Sequence, residues 1–344
     1  MRAVQFDTYG GPEVLTVREV PDPVAGPFEV LVDLQAIGIN HVDLDVRDGT
    51  SRFDITLPHT PGLEGAGIVA EVGPNVGSVK VGDRVALSYI KTCDQCEECL
   101  SGREMFCPRR GLLGEQIPGT YAERIVVPAS LCIPIPDSVS FVDAAASIVT
   151  YGSSWHALTT RAQVRLGETV LIHSIGSGVG TAGLQIAKAA GAVVLGTVGS
   201  DEKISKALDA GADAVINHNT TDFVEFALDS TGGKGVDVVF DMVGGRAFSD
   251  SMKAMRPNAR LVTIGAHGGE VVQFDIIEFF RRHITYISTH SQSRSELRQV
   301  FELLGRGVFD PHIHAVLPLS QAAEAHTMIA SRSNFGKVLL DPTI

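Results

Sequence analysis

At 344 residues the chain is too long for one ordinary hydrophobic core and long enough for two domains. Hydrophobic residues make up 44% and charged residues 20%, ordinary values for a soluble globular protein. Against 28 Lys and Arg stand 40 Asp and Glu, a net charge of -12, so the surface repels phosphate backbones and nucleic acid is set aside as a partner.

The N-terminal stretch MRAVQFDTYGGPEVL lacks the apolar run and small-residue cleavage site of a secretory signal, and a cytoplasmic protein is expected. Residues 1 to about 125 are rich in Gly and Pro, with short alternating strand candidates at Glu29–Gln35 and Gly67–Val72, which predicts an irregular, mostly β domain. Four of the five cysteines, Cys93, Cys96, Cys99 and Cys107, are spaced C-x2-C-x2-C-x7-C. Nothing directs the chain to an oxidising compartment, so the cluster points to metal ligation rather than disulfides. Its last gap is longer than the gap of about three residues usual for iron–sulfur ligation.

From about Asp143 the pattern changes. Strand Thr169–Ile175 is followed by a glycine turn and helix Thr181–Ala190, then strand Ala192–Val198, helix Asp201–Ala210, strand Asp213–Asn217 and helix Thr221–Ser230. Strand Val236–Phe240, helix Arg246–Met255 and strand Arg260–Ile264 continue the alternation, which predicts right-handed crossovers and a parallel, doubly wound sheet. The apolar region Thr169 to Gly199 is broken by His173, Gln185, Lys188 and several glycines, and is expected as buried strand and helix rather than a membrane span. The apolar run Phe274–Phe280 suggests a subunit contact. A strand at His283–Ser288, a helix at Arg294–Leu304 and a final strand at Phe335–Leu340, returning to the first domain, complete the chain.

Between the first strand and first helix of the parallel unit lies HSIGSGVGTAG, residues 173 to 183, where Gly178, Gly180 and Gly183 satisfy G-x-G-x-x-G. Such glycines let backbone approach a pyrophosphate at a helix N-terminus. An NAD site usually ends its second strand in a carboxylate that binds the ribose. Here the strand tip is Gly199-Ser200, with Lys203 one turn later, and both polar groups suit a 2′-phosphate. Asp201 stands close enough to offer an acidic ribose contact instead, but the pattern favours NADPH over NADH.

These features, together with GPEVL (11–15), PGLEGAGIVAEVG (61–73), VGDRV (81–85), GVDVVFDMVGG (235–245) and FGKVLL (335–340), make nearly the whole chain resemble the medium-chain dehydrogenase/reductase superfamily. Within it the chain is similar to the quinone oxidoreductase and zinc-binding dehydrogenase branch. The resemblance implies an α/β fold: a mostly β, GroES-like catalytic domain over residues 1–127, a Rossmann domain over 128–268, and a return to the catalytic domain over 269–344. It also implies an active site in the cleft between the domains, and a homodimer or homotetramer. One structural zinc is implied on Cys93, Cys96, Cys99 and Cys107, whose four thiolates close a tetrahedral shell and leave no open position. Cys132 remains as a small buried residue.

Where the family's alcohol dehydrogenases hold catalytic zinc, this chain has Asn40 for a cysteine, Leu63 for a histidine, and no cysteine in Ser147–Tyr151. Leucine offers no ligand atom, so that zinc is expected only if His41, Asp43, His59 or Glu64 build another site. Without a metal the developing charge must be softer than an alkoxide: an enolate from an enone or enal, or the aromatic anion of a quinone. The expected function is therefore NADPH-dependent reduction of a quinone or an activated C=C bond by hydride transfer. A zinc-type alcohol dehydrogenase and a non-catalytic NADPH-binding sensor are the alternatives.

The resemblance places Asn40 near the nicotinamide, its amide donating to the substrate carbonyl or to the ribose. His41 is a candidate proton donor, and Arg47 a pocket or ion-pair residue. Asp43 is expected to pair with Lys337, and Asp45 replaces the family's usual aromatic residue. Cofactor contacts are implied at Asn40, Thr150, Ser177, Gly178, Val179 and Gly180, at Ser200, Lys203 and His218, and at Val243, Gly265 and Lys337. Tyr121 and Trp155 are expected to serve in packing.

Overall fold

Buried Val32, Leu34 and Ala36 alternate with half-exposed Asp33 and Gln35, and this period of two makes Glu29–Gly38 the central strand of a sheet with a buried face. It pairs antiparallel with Glu64–Val72 on one side, and on the other with Arg124–Pro128 and Lys337–Asp341. The sheet continues through Arg84–Leu87 to an edge at Cys132–Pro134, and ends on the other side at Ile313–Pro318. Its seven strands make the irregular β domain expected, and Lys337–Asp341 is the returning strand.

The computed structural model describes all 344 residues and divides into two units, Met1–Val149 with Gln292–Ile344, and Thr150–Ser291. In the second unit six parallel strands run in the order Ala214–Asn217, Val193–Val198, Thr169–Ile172, Val236–Asp241, Met255–Thr263, Thr285–Ser288. Strand order therefore reverses between Thr169–Ile172 and Val236–Asp241, the switch point at which open α/β sheets bind ligands. The two strands at this point are near-continuous apolar runs covered on both faces: Val170, Leu171, Ile172, Val238, Val239 and Phe240 are fully buried.

The unit boundaries fall about twenty residues later than the 127/128 and 268/269 that the resemblance implies. Cys132–Pro134 pairs with Arg84–Leu87 and helix Phe141–Ser147 packs on the central strands, which keeps residues 128–149 in the first unit. Thr285–Ser288 pairs in parallel with Arg260–Thr263 and holds residues 269–291 in the second. No helix is long and apolar enough to cross a membrane. In the Phe274–Phe280 run, Ile276, Ile277 and Phe280 are exposed on a short helix, Ile276–Arg281.

Candidate active site

In the first unit the chain leaves the central strand at Gly38, and helix His41–Asp48 begins at Asn40. A Cβ at Gly38 would lie 2.7 Å from Glu64 Cδ, so glycine there makes room for the Glu64 carboxylate beneath the turn. Glu64 is fully buried and pairs with Lys337, itself 5% exposed, at 2.5 Å. Lys337 Nζ also donates to Asn40 Oδ1 at 2.7 Å, and Asn40 Nδ2 donates to Glu64 Oε1 at 2.9 Å. Because an ammonium only donates and a carboxylate only accepts, the Asn40 amide has one orientation. Glu64 Oε2 accepts the Val149 N–H at 2.7 Å. One Asn40 amide hydrogen is left uncommitted, and Asn40 is half-buried.

Asp43, one turn into the helix, accepts the Asn40 backbone N–H at 2.8 Å and the Tyr121 hydroxyl at 3.2 Å, both at Oδ2. Its other oxygen has no hydrogen-bond partner. Burial pushes the Asp43 carboxyl up to about 7, against the smaller opposing effect of its hydrogen bonds and Lys337. Arg47 is buried and donates to the Gly10 carbonyl at 3.1 Å and to His326 Nδ1 at 3.2 Å. His41 is half-buried at the first helical position.

In the second unit the expected cofactor residues follow the C-terminal ends of the parallel strands: Ser177 to Gly180, Ser200, His218, Val243 and Gly265. Ser177 Oγ accepts the Gly180 N–H at 3.0 Å and caps helix Gly178–Ala189. A Cβ at Gly180 would lie 2.7 Å from the Ile175 backbone Cα, and one at Gly183 2.6 Å from the buried Phe240 ring, so neither position has room for a side chain. Thr150 opens helix Thr150–Trp155, from which Ser154 Oγ donates to the Val179 carbonyl at 3.2 Å. Fully buried Asp241 accepts the N–H groups of Val243 at 3.0 Å and Gly244 at 3.2 Å and so shapes the adjoining loop. Gly265 sits where a Cβ would lie 2.9 Å from the Met242 carbonyl oxygen. At the second strand tip the Asp201 carboxylate is engaged by Asn217 Nδ2 at 2.8 Å, whereas Ser200 Oγ is buried without a partner. Burial pulls the half-buried Lys203 ammonium below its ordinary value, and His218 is exposed.

The four lobe cysteines bring their Sγ atoms within 4.8 Å of one another, with separations of 3.4, 3.6 and 3.9 Å among them. A tetrahedron built on a zinc–sulfur bond of about 2.3 Å has edges of about 3.8 Å, so the donor set fits that ion. Backbone N–H groups of Gln95 and Cys96 bring the Cys93 thiol down to about 6, while burial pushes Cys99 up to about 12. Were all four ionised at this spacing, they would need a neutralising cation.

A zinc-binding dehydrogenase family pattern matches residues 178–306, and an alcohol dehydrogenase GroES-like domain pattern matches residues 26–137. The quinone oxidoreductase of Rattus norvegicus is 32% identical over 99% of this chain and 97% of its own. An alcohol dehydrogenase of Geobacillus stearothermophilus is 31% identical over 99% of each. The chain belongs to the medium-chain dehydrogenase/reductase superfamily. Among solved members, an NAD-dependent alcohol dehydrogenase superposes with a TM-score of 0.95 at 39% identity, covering 99% of each chain. The Escherichia coli quinone oxidoreductase, solved with NADPH, superposes with a TM-score of 0.84 at 30% identity, covering 99% of this chain and all of its own. This member of the superfamily is thus an oxidoreductase, similar both to quinone oxidoreductases and to alcohol dehydrogenases.

The geometry alters two expectations for this dehydrogenase/reductase chain. Lys337 pairs with Glu64 and Asn40 rather than Asp43, because the returning strand joins the central strand at Gly38, the residue that also pairs with Glu64. Tyr121 is more than packing, since its hydroxyl joins Asp43 to His326. His326 went unremarked in the sequence; its only signal is an imidazole in the apolar helix Ala322–Ala330, where burial obliges it to find partners.

Proposed function

We propose that the protein is an NADPH-dependent oxidoreductase that reduces a quinone or an activated C=C bond, an enone or enal, by hydride transfer without catalytic zinc. The observation that carries this reading is Asn40, an amide locked by Lys337 and Glu64 with one N–H uncommitted, where zinc dehydrogenases of the family have a cysteine. Leu63, at the family's histidine position, is buried and offers no ligand atom. A fixed amide donor suits a delocalised enolate or hydroquinone anion, and being held in advance it costs no reorganisation as charge develops.

Two features support the phosphorylated dinucleotide. Asp201 is committed to Asn217, which weakens its claim on a ribose, and Ser200 Oγ is a buried hydroxyl still lacking a partner. When bound, the reduced nicotinamide supplies the hydride. Ser177 through Gly180 would cradle the pyrophosphate, and Ser200 with Lys203 would hold the 2′-phosphate. Cys93, Cys96, Cys99 and Cys107 would hold one zinc that serves as a staple, because a closed thiolate shell leaves no position for substrate.

The test is NADPH oxidation against a panel of quinones and enones, with Asn40→Ala beside the unaltered protein. The variant should lose about 10²-fold in kcat, the usual cost of one oxyanion donor. The likeness to an NAD-dependent alcohol dehydrogenase favours a second reading, alcohol oxidation with NAD⁺. Turnover of alcohols and none of quinones or enones would establish that alternative.

A further inference from the structure

Buried polar side chains from three segments of the first unit form a line of hydrogen bonds whose direction is set at its first member. Arg47 Nη1 lies 3.2 Å from His326 Nδ1. A guanidinium only donates, so Nδ1 accepts, and the neutral ring carries its proton on Nε2. That nitrogen lies 3.0 Å from the Tyr121 oxygen and donates to it. Tyr121 in turn directs its hydrogen to Asp43 Oδ2 at 3.2 Å, the oxygen that also accepts the Asn40 N–H. Asp43, Tyr121 and His326 are all fully buried, and the His326 ring meets Tyr121 edge-on with centroids 5.7 Å apart.

The line begins and ends on one helix, His41–Asp48, with Asp43 and Arg47 four residues apart. At that spacing the two would ordinarily pair with each other; here His326 and Tyr121 stand between them. Arg47 cannot give up its proton at ordinary pH, so the line is closed at that end and cannot shuttle protons. It can only orient. Burial, and then Arg47, hold the imidazole down to about 3, consistent with a neutral ring.

We propose that His326 is a positioning residue of the active site: acting through Tyr121, it fixes the hydrogen bonding at Asp43 and thereby the turn that presents Asn40. The inference rests on the reading above in that Asn40 is the group that meets substrate. Besides Tyr121, the charged groups acting on Asp43 are Glu64 and Lys337 from neighbouring strands. Those around Arg47 are Asp45 and Asp48 of its own helix and Glu13 of the N-terminal segment. Tyr121 supplies one of the two hydrogen bonds that favour the Asp43 carboxylate, so disorienting it should let Asp43 take up a proton at higher pH.

The test uses the full chain. His326→Phe keeps the ring and its edge contact while removing both nitrogens, Tyr121→Phe removes only the hydroxyl, and His326→Gln retains one donor and one acceptor. Protonation of Asp43 is followed by infrared titration of its carboxyl band, assigned as the band absent in Asp43→Asn, and kcat is measured in parallel. Both Phe variants should shift the Asp43 midpoint upward by about one pH unit, the equivalent of one lost hydrogen bond. They should lower kcat about tenfold with KM for NADPH unchanged, and His326→Gln should restore both. An unmoved titration, or an unmoved kcat in a variant whose titration has moved, overturns the proposal. If His326→Phe does not fold, Tyr121→Phe decides. If the protein reduces no quinone or enone, the reductase reading has failed, and the same variants are then judged by the titration and by kcat on an alcohol.

Discussion

Lys337→Met would leave the Glu64 carboxylate, with no exposed surface, without the cation now 2.5 Å away. At that distance the gross attraction is roughly 7 kcal/mol for an effective dielectric of 20. The N–H donors of Asn40 and Val149 remain in place and keep the carboxylate partly stabilised. Removing one partner of a buried pair typically costs about 3–5 kcal/mol, and we expect a loss in that range at neutral pH. Pairing the change with Glu64→Gln should recover at least half of it, because no uncompensated charge then stays buried. The assay is urea denaturation followed by far-ultraviolet circular dichroism, with amide exchange of Glu29–Gly38 and Lys337–Asp341 as a local probe. Fluorescence is unsuitable, since the one tryptophan, Trp155, lies in the other unit. A loss below about 1 kcal/mol, or a double variant no more stable than the single, would refute the reasoning.

Three further outcomes follow from the site. Purified protein should carry one zinc per chain, and chelation should expose four reactive thiols while Cys132, buried with its thiol pushed up to about 12, stays silent; a thiol count of five, or of zero, contradicts this. Ser200→Ala should raise KM for NADPH about tenfold, the worth of one charge-assisted hydrogen bond, and leave KM for NADH unchanged; equal effects on both would remove Ser200 from the phosphate site. Asp43 has its ordinary value of 3.8 in the unfolded chain and about 7 in the fold. The unfolded chain therefore releases this proton first, and stability is lost as pH rises from about 4 to about 7 and is constant above. Asp43→Asn should lack that slope, gaining up to about 4 kcal/mol relative to the unaltered protein across the window; parallel stability curves would show that Asp43 is ionised throughout.

The parallel sheet was legible because its central strands, Thr169–Ile172 and Val236–Asp241, are short, mostly apolar runs buried on both faces, and the glycine loop because Gly180 and Gly183 have no room for a Cβ. The cysteine lobe was legible from spacing alone. Unit boundaries were not, since Cys132–Pro134 and Thr285–Ser288 carry no local mark of which sheet they join; pairing partners decide that. The partner of Lys337 was also hidden: Asp43 and Glu64 both belong to the first unit, and only the register of the returning strand selects Glu64. Tyr121 and His326 meet across 205 residues of sequence, and nothing near either one announces the contact. Local pattern reports burial and turns, whereas polar networks depend on which distant segments pack together.

The most direct test of the account is the oxidation of NADPH and of NADH by the zinc-loaded protein with a simple quinone and a cyclic enone, followed through the absorbance of the reduced nicotinamide. The account predicts turnover of at least one acceptor, with kcat/KM for NADPH at least tenfold above that for NADH, the worth of about 1.4 kcal/mol of phosphate recognition. Absence of turnover with both acceptors, alongside NAD⁺-dependent oxidation of an alcohol, would contradict it.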